Sequence, residues 1–356
     1  MRLMLLTSAR GWGGTTLTYT RLARELARRG HAVLVVARSG ELATRFAAQG
    51  VGAASGNRAT GVRRLIRRFA PDALLVDLPR DLRIATAPGL GRPAVVYRYN
   101  RTEARPRSGL LDRMLAGRVA GCLYQSEYVA RRAAVYEPWL ARRPSVLVPN
   151  GYDLDRFTPD PEAGRCFRRR HGLSPEAAVV LTPAGLTRDK GHGDAIAALG
   201  RIGASCGAPI YLAAGDGPLE SRLRHRAEAE HVRLRVTGWL EGEELKGALN
   251  AADLVLHPSL HENFPNAVGE AMACGRPVVA TDVGGTPELL GRDGAAGVLV
   301  PSGDPASLAA ALVSLLCDRP RLAALGAAAR RRVVAEFPLA RMVDGVEAAL
   351  RAAAAG

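Results

Sequence analysis

The sequence predicts an α/β protein made of two domains, each built on a parallel β-sheet. The chain has 356 residues, which is enough for two domains. Short apolar runs alternate with helical segments, as they do in βαβ units. This alternation is interrupted at Pro149 and begins again at Val179. We therefore expect an N-terminal domain over residues 1–150, a C-terminal domain over 151–335 and a last helical segment over 336–356.

The first domain begins with a strand, a glycine-rich loop, a helix and a second strand. Residues 3–6 are uniformly apolar, as in a parallel strand that is covered on both faces. Gly13 and Gly14 lie in the following loop, where the absence of a side chain lets the backbone approach a ligand closely. A helix follows over about 17–29, and residues 31–36 form the next strand. The loop lacks the spacing G-x-G-x-x-G, so no dinucleotide fingerprint is predicted.

The remaining predicted strands are short apolar runs that occur at intervals along both domains. They lie at residues 74–76, 94–97 and 145–148 in the first domain, and at 179–182, 210–214, 254–256, 278–280 and 297–301 in the second. Ligands bind to open α/β sheets at the carboxyl ends of the strands. We therefore look for functional residues in the loops that directly follow these runs.

The positive charge is concentrated in the first domain. Residues 1–150 contain 26 arginines and 9 acidic residues, whereas the whole chain carries +15, so residues 151–356 carry −2. A basic amphipathic helix over 63–69 contributes to this excess. The basic half favours binding to an anionic membrane surface or to a charged acceptor. The alternative is a compositional bias toward arginine that reflects no partner. Nucleic acid is not expected, because only 5% of residues are aromatic and few can stack on bases.

The cysteine pattern and hydropathy predict the compartment. The five cysteines are scattered without a Cys-x-x-Cys pair, which argues against a disulfide framework or a zinc site and favours a reducing environment. No apolar run approaches the ~18–20 residues of a membrane span. The apolar stretch at residues 1–6 is too short for a signal peptide. We expect a cytoplasmic protein, either soluble or peripheral on the inner face of the membrane.

The stretch from His261 to Gly275 is the strongest functional signal in the chain. Pro265 suits the first turn of a helix that runs to about residue 273. Glu262 then precedes the helix and Glu270 lies within it. The unpaired N–H groups of the first turn, at the positive end of the helix dipole, lie between the two carboxylates. This arrangement predicts a ligand with sugar hydroxyls, then a diphosphate, then a ribose, which is a nucleotide sugar.

The same stretch resembles the signature of the retaining family 4 of glycosyltransferases, also called glycosyl transferases group 1. The two glutamates have the E-x7-E spacing of that family within the run F-P-N-x-x-x-E-A-M-A-x-G-x-P-V-V. Residues 149–157 resemble the family's interdomain linker, and residues 215–218 match its G-x-G-P turn. The resemblance implies the GT-B fold, in which two Rossmann-like domains face each other across a cleft. It also implies that the helix over 336–356 crosses back to the acceptor-binding N-terminal domain.

The resemblance assigns roles to individual residues. Glu262 is expected to hold hydroxyls of the donor sugar and Lys190 to stabilise the departing diphosphate. The family has an arginine where this chain has Gly185, and Arg188 is the candidate replacement. The implied donor-binding residues are Gly13, Gly14, Gly215, Gly217, Asn263, Phe264, Pro265, Asn266, Ala267, Val268 and Glu270. Neither a metal nor a cofactor is expected, because the nucleotide sugar is itself a co-substrate.

The predicted activity is transfer of a hexose-type sugar from a nucleoside-diphosphate sugar to a saccharide or lipid-linked acceptor in cell-envelope glycan biosynthesis, with retention of configuration. Two alternatives stay open. A GT-B-fold epimerase would convert a nucleotide sugar without an acceptor, whereas a phosphorylase would need a pyridoxal lysine in a chain with two lysines. A non-catalytic binder of anionic ligands would release its nucleotide to RNA or DNA in a salt-dependent manner.

Overall fold

The computed structural model describes residues 1–87, 93–100, 117–140, 142–202 and 207–356. The chain forms two compact units, of which unit 1 comprises residues 1–151 together with 340–356, and unit 2 comprises residues 152–339. The first division lies one residue from the predicted boundary, but the second lies four residues later than predicted.

The later boundary follows from backbone pairing within unit 2. The N–H of Tyr152 donates to the carbonyl of Phe337 (3.0 Å), and the N–H of Leu339 donates to the carbonyl of Tyr152 (2.9 Å). Tyr152 and Pro338 thus form a parallel β-bridge. These bonds place residues 336–339 in unit 2, and the last helix begins at Leu339.

Unit 1 contains the predicted alternation of strands and helices. Its elements are β1 (Arg2–Thr7), α1 (Gly14–Arg28), β2 (Ala32–Ala37), α2 (Gly40–Ala48), β3 (Ala53–Ser55), α3 (Ala59–Phe69), β4 (Ala73–Val76), α4 (Pro79–Ala85), β5 (Ala94–Arg98), β6 (Val119–Tyr124), α5 (Glu127–Tyr136) and β7 (Ser145–Leu147). The strands form one parallel sheet in the order β3-β2-β1-β4-β5-β6-β7. β1 from Leu3 onward and β4 along its length are buried, as their apolar sequence predicts.

Unit 2 repeats this architecture with a second parallel sheet. Its elements are α6 (Pro161–Arg170), β8 (Val179–Thr182), a 3₁₀ turn (Arg188–Lys190), α7 (His192–Ile202), β9 (Ile210–Ala213), α8 (Glu220–Ala229), β10 (Arg233–Val236), α9 (Gly242–Ala251), β11 (Leu254–His257), α10 (Asn266–Ala273), β12 (Val278–Thr281), α11 (Thr286–Leu290), β13 (Val298–Val300), α12 (Pro305–Leu316) and α13 (Arg319–Glu336). The strand order is β10-β9-β8-β11-β12-β13. The predicted fold class, with two Rossmann-like α/β domains, is confirmed.

The sheet of unit 2 separates two hydrophobic cores. Val179 and Leu181 of β8 pack into the core that also contains α9 and α10 residues, whereas Val180 packs into the core on the opposite face. Successive side chains of a strand point to opposite faces, so an uninterrupted apolar strand contributes to both cores. Helices therefore cover both faces of the sheet and leave its carboxyl edge to the loops.

The last helix, α14 (Leu339–Ala355), packs on unit 1 through a buried face and one carboxylate. Val343, Val346 and Leu350 are buried. Glu347 accepts hydrogen bonds from Arg29 (2.8 Å) and Arg351 (2.7 Å), and it lies 3.0 Å from Nε2 of His31. These hydrogen bonds from Arg29, Arg351 and His31 lower the pKa of Glu347 from 4.5 to about 2.

Replacing Glu347 with glutamine should destabilise unit 1 by about 1–2 kcal/mol at pH 7. Because the folded-state pKa lies below the ordinary value, this contribution is present above pH 4.5 and is lost as the pH falls toward 2. Denaturant unfolding at a series of pH values checks this, since the difference from wild type should shrink over that window. Glu25→Gln is the control, because Glu25 pairs only with Arg28 of its own helix; a loss of equal size there would contradict the assignment.

One cysteine departs from the sequence analysis. Cys122, Cys166 and Cys274 are free thiols, but Cys317 is disulfide-bonded. The scattered cysteine spacing, which argued against a disulfide framework, did not indicate this bond, because a disulfide does not require a Cys-x-x-Cys pair. The remaining cysteine, Cys206, lies outside the described residues.

Candidate active site

The candidate site of unit 2 lies at the carboxyl ends of β8 and β11. These strands are neighbours in the sheet, and the chain continues from β8 to β9 on one side and reaches β11 on the other. Such a switch point opens a crevice between the two loops that leave the strands. Lys190 is in the loop after β8, and Glu262 is in the loop after β11.

Backbone hydrogen bonds tie the loops at this edge to one another. The N–H of Leu186 donates to the carbonyl of Asp216 (2.7 Å), and the N–H of Leu260 donates to the carbonyl of Asp189 (2.7 Å). These bonds join the loop after β8 to the loops after β9 and β11. The loops therefore form a connected surface rather than separate flexible segments.

Two glycines permit the closest approaches between these loops. Gly191 has φ +68°, and a Cβ there would lie 1.9 Å from the carbonyl oxygen of Pro258. Gly284 has φ +62°, and a Cβ there would lie 1.8 Å from the carbonyl oxygen of Glu262. Any side chain would displace the loops, and a left-handed backbone adds strain for other residues. These contacts hold Lys190 and Glu262 in place from both sides.

Three side chains converge at the centre of this surface. Nζ of Lys190 lies 2.8 Å from Oε1 of Glu262, and Nε2 of His257 lies 3.0 Å from the same oxygen. Lys190 also lies 3.5 Å from the carboxylate of Asp189. Oε2 of Glu262 accepts no hydrogen bond from any part of the chain that the structure describes. The carboxylate is thus anchored through one oxygen and presents the other.

Glu262 and Lys190 each stabilise the charged form of the other. Burial alone would raise the pKa of Glu262, but the hydrogen bond and charge of His257 and the charge of Lys190 outweigh it and lower the pKa from 4.5 to about 2. Burial would lower the pKa of Lys190, but the Glu262 carboxylate raises it above its ordinary value. Glu262 is therefore an anion and Lys190 a cation at neutral pH.

The helix that follows Glu262 begins one residue later than predicted. α10 starts at Asn266, and Pro265 precedes it with an extended backbone (φ −77°, ψ 116°). The proline carbonyl accepts a hydrogen bond from the hydroxyl of Tyr152 (3.3 Å), which fixes this entry to the helix. Neither a capping side chain nor an acidic residue occupies its first turn. The N-terminal turn at Asn266, Ala267 and Val268 therefore retains the positive end of the helix dipole.

Glu270 lies within α10 and is buried, whereas Arg188 is exposed. A Cβ at the neighbouring Gly269 would overlap the ring of Tyr152, so the tyrosine ring packs directly against the backbone of α10. The guanidinium of Arg188 forms neither a hydrogen bond nor an ion pair with any residue that the structure describes, and it lies two residues before Lys190 on the same 3₁₀ turn. Its charge is thus available beside the Lys190–Glu262 pair.

The predicted glycines fall into two groups. Gly215 and Gly217 lie in the loop after β9 and pack against the backbone of Ala184 and Leu186, where a Cβ would approach within 2.0 and 2.6 Å. They therefore support the loop that carries Lys190. Gly13 and Gly14 belong to unit 1, at the start of α1, where the N–H of Gly13 donates to the hydroxyl of Thr16 (2.8 Å).

Two family models match this chain. Residues 12–156 match the model of "Glycosyltransferase Family 4", and residues 177–318 match that of "Glycosyl transferases group 1". Together these matches cover most of both units. The chain belongs to the family 4 glycosyltransferases.

Named relatives of this glycosyltransferase act on inositol-containing acceptors. The GDP-mannose-dependent monoacylated alpha-(1-6)-phosphatidylinositol monomannoside mannosyltransferase of Corynebacterium glutamicum is 32% identical over 223 residues, which cover 60% of this chain and 57% of the relative. The D-inositol 3-phosphate glycosyltransferase of Geodermatophilus obscurus is 35% identical over 223 residues, which cover 60% of this chain and 48% of the relative. The matched part of the chain thus spans about half the length of these relatives.

Solved glycosyltransferase structures share the fold of the whole chain. HepE from Anabaena, solved in complex with UDP-glucose, superposes with a TM-score of 0.85 at 19% identity, and the match covers 99% of both chains. This confirms the GT-B fold of the glycosyltransferase. Among its helices in the described ranges, none is both long and apolar enough to cross a membrane.

Sequence analysis missed two histidines of this glycosyltransferase. His257 is the last residue of β11, and His192 begins α7. Nδ1 of His192 lies 2.8 Å from the hydroxyl of Tyr211, and Nε2 lies 3.2 Å from the carbonyl oxygen of Gly185. Burial lowers the pKa of His192 to about 4, so it is neutral, accepts from the tyrosine and donates to the loop carbonyl. The polar residue at the end of the apolar run 254–256 was the signal for His257.

The carboxyl edge of the sheet in unit 1 also buries polar groups. Asp77 follows β4 and is fully buried, and burial together with the Asp81 carboxylate raises its pKa to about 8. Arg98 ends β5 and donates to the side-chain oxygen of Asn150 (2.6 Å). Asn100 donates to the hydroxyl of Thr15 (2.9 Å). Polar residues thus lie at the carboxyl ends of β4 and β5, and two of them, Asp77 and Arg98, are buried.

Proposed function

We propose that this glycosyltransferase transfers a hexose-type sugar from a nucleoside-diphosphate sugar with retention of configuration. The observation that carries the proposal is the Lys190–Glu262 pair, whose glutamate lies four residues before the start of α10 at Asn266. A cation and helix N–H groups suit a diphosphate, whereas a carboxylate suits sugar hydroxyls. A nucleotide sugar contains both partners, joined at the bond that the reaction breaks.

Each group has a distinct part in this mechanism. Lys190, Arg188 and the first turn of α10 offset the negative charge that develops on the departing diphosphate. Glu262 accepts hydrogen bonds from hydroxyls of the donor sugar and fixes the orientation of its ring. Glu270 accepts hydrogen bonds from the ribose. The departing phosphate removes the proton of the acceptor hydroxyl, which attacks the anomeric carbon from the same face as the leaving group.

The acceptor is a saccharide or a lipid-linked saccharide of the cell envelope. The name of the Corynebacterium glutamicum relative supports this class, because it contains a phosphatidylinositol monomannoside, which is a lipid-linked saccharide. The basic surface of unit 1 supports the same class. α3 buries Val62 and Ile66, while Arg64, Arg67 and Arg68 are exposed.

An anionic membrane surface is the partner that suits this helix. Such contacts weaken as salt screens the charges. Sedimentation with vesicles that contain phosphatidylserine should therefore recover the enzyme at low salt and release it at high salt. Equal recovery with neutral phosphatidylcholine vesicles would argue against this contact.

A panel of nucleotide sugars tests the main proposal. The enzyme is incubated with UDP-glucose, GDP-mannose and related donors, with and without acceptors that carry inositol or saccharide hydroxyls. Release of free nucleoside diphosphate that requires an acceptor supports transfer, and NMR of the product reports the anomeric configuration. Conversion of the nucleotide sugar without an acceptor would instead support an epimerase. Absence of nucleotide binding across the panel would overturn the proposal.

A further inference from the structure

We propose that His257 is a positioning residue for the donor sugar, because it holds the carboxylate of Glu262 when Lys190 turns to the diphosphate. The inference rests on the proposed function and extends it to a residue outside the glutamate motif. In the structure, Lys190 and His257 share one oxygen of Glu262. A lysine that stabilises the leaving diphosphate has to give up part of this contact.

The two partners of Glu262 differ in their freedom to move. Lys190 has a flexible four-carbon side chain that is 26% exposed, whereas the side chain of His257 is 3% exposed. His257 belongs to β11, whose residues 255–257 pair with β12, including His257 itself. The imidazole ring of His257 therefore cannot reorient toward a bound ligand, but the ammonium of Lys190 can rotate toward one.

This difference gives Glu262 one permanent and one exchangeable partner. When Lys190 is engaged by the diphosphate, the Nε2–H of His257 still donates to Oε1 of Glu262. The free oxygen, Oε2, then keeps its direction and can accept hydrogen bonds from sugar hydroxyls. Without His257, the carboxylate would lose the one rigid partner that the described residues give it, at the moment when it has to orient the sugar.

The chain contains a matched control for this histidine. His31 in unit 1 also lies 3.0 Å from a glutamate oxygen through Nε2, and its side chain is 2% exposed. The Nδ1 atoms of both histidines are buried without a hydrogen-bond partner in the part of the chain that the structure describes. Loss of either histidine should therefore change the free energy of folding by a similar amount, but of these two histidines only His257 is part of the candidate site.

The experiment compares His257→Leu, His257→Gln and His31→Leu by calorimetric titration with UDP, GDP, UDP-glucose and GDP-mannose. His257→Leu should weaken nucleotide-sugar binding by about 10-fold or more, which is the usual effect of losing a hydrogen bond to a charged group. Binding of the free nucleoside diphosphate should stay within about 2-fold of wild type, because this ligand offers Glu262 no sugar hydroxyls. His257→Gln should recover most of the loss, since its amide can still donate to Glu262, and His31→Leu should change neither titration.

The outcomes separate this inference from the proposed function. Equal weakening of nucleoside diphosphate and nucleotide sugar by His257→Leu would overturn the positioning role, and so would unchanged binding of both. If His257→Leu does not fold, His257→Asn takes its place, because its shorter amide cannot reach Oε1 of Glu262. A wild-type enzyme that binds diphosphates but not their sugars would also overturn the inference, whereas one that binds neither would overturn the proposed function itself.

Discussion

Replacing Glu262 with glutamine should lower the rate of sugar transfer by about 100-fold or more while the protein stays folded. The side chain keeps its volume, but it loses the negative charge that Lys190 and His257 stabilise. An amide also presents one acceptor oxygen instead of two, so the sugar hydroxyls lose their ionised partner. The measurement is kcat/KM with the donor that the panel identifies, together with affinity for the free nucleoside diphosphate, which should change little.

Asp253→Asn is the control for this substitution. Asp253 lies directly before β11, at the strand end opposite to the site, and pairs with Arg168 (2.9 Å) and Arg319 (2.8 Å). Its loss should reduce stability without a comparable effect on turnover. If Glu262→Gln turned over at a rate similar to wild type, Glu262 could not be the residue that holds the donor sugar.

Replacing Lys190 with methionine should also reduce kcat by about 100-fold, but with a different binding signature. Methionine keeps much of the apolar stem and removes the ammonium, so the departing diphosphate loses a cation. Affinity should therefore fall for the free nucleoside diphosphate as well as for the nucleotide sugar. The pKa of Glu262 should rise at the same time, because the charge of Lys190 is one of the influences that lower it.

The only other lysine of the chain supplies the control. Lys246 forms an ion pair with Asp160 at 2.8 Å, within unit 2 but outside the loops of the candidate site. Lys246→Met should leave nucleotide affinity and turnover close to wild type. A Lys190→Met enzyme with unchanged diphosphate affinity would show that another cation, with Arg188 as the first candidate, binds the phosphates.

The sequence predicted most of the strands that are uniformly apolar but did not predict β3, β6 or the full extent of β10. β3 consists of Ala53, Ala54 and Ser55, which lack the branched and aromatic side chains that favour strands. β10 lies at the edge of its sheet and alternates arginine with apolar residues, so it could be taken for part of a loop. Both strands depend on pairing with a neighbour, and such a pairing is not visible in a local pattern.

The candidate site also depends on contacts between distant residues, which a local sequence pattern does not show. Glu262, Glu270 and the helix between them lie within one stretch, so their arrangement follows from helix geometry. The contact between Lys190 and Glu262 joins residues 72 positions apart and exists because β8 and β11 are neighbours in the sheet. Sequence order alone does not specify that adjacency. His257 was missed for a related reason, since a single histidine after an apolar run gains its meaning only from the glutamate it contacts.

The bridge between Tyr152 and Pro338 has a consequence for the architecture of the gene product. Residues 152–339 form one continuous segment whose two ends are hydrogen-bonded to each other. Topologically, this segment is an insertion into a host made of residues 1–151 and 340–356. Insertions with adjacent ends can be excised or transplanted without breaking the host's path. Under the proposed function, in which this segment binds the donor, it is a natural cassette for exchanging donor preference between related enzymes.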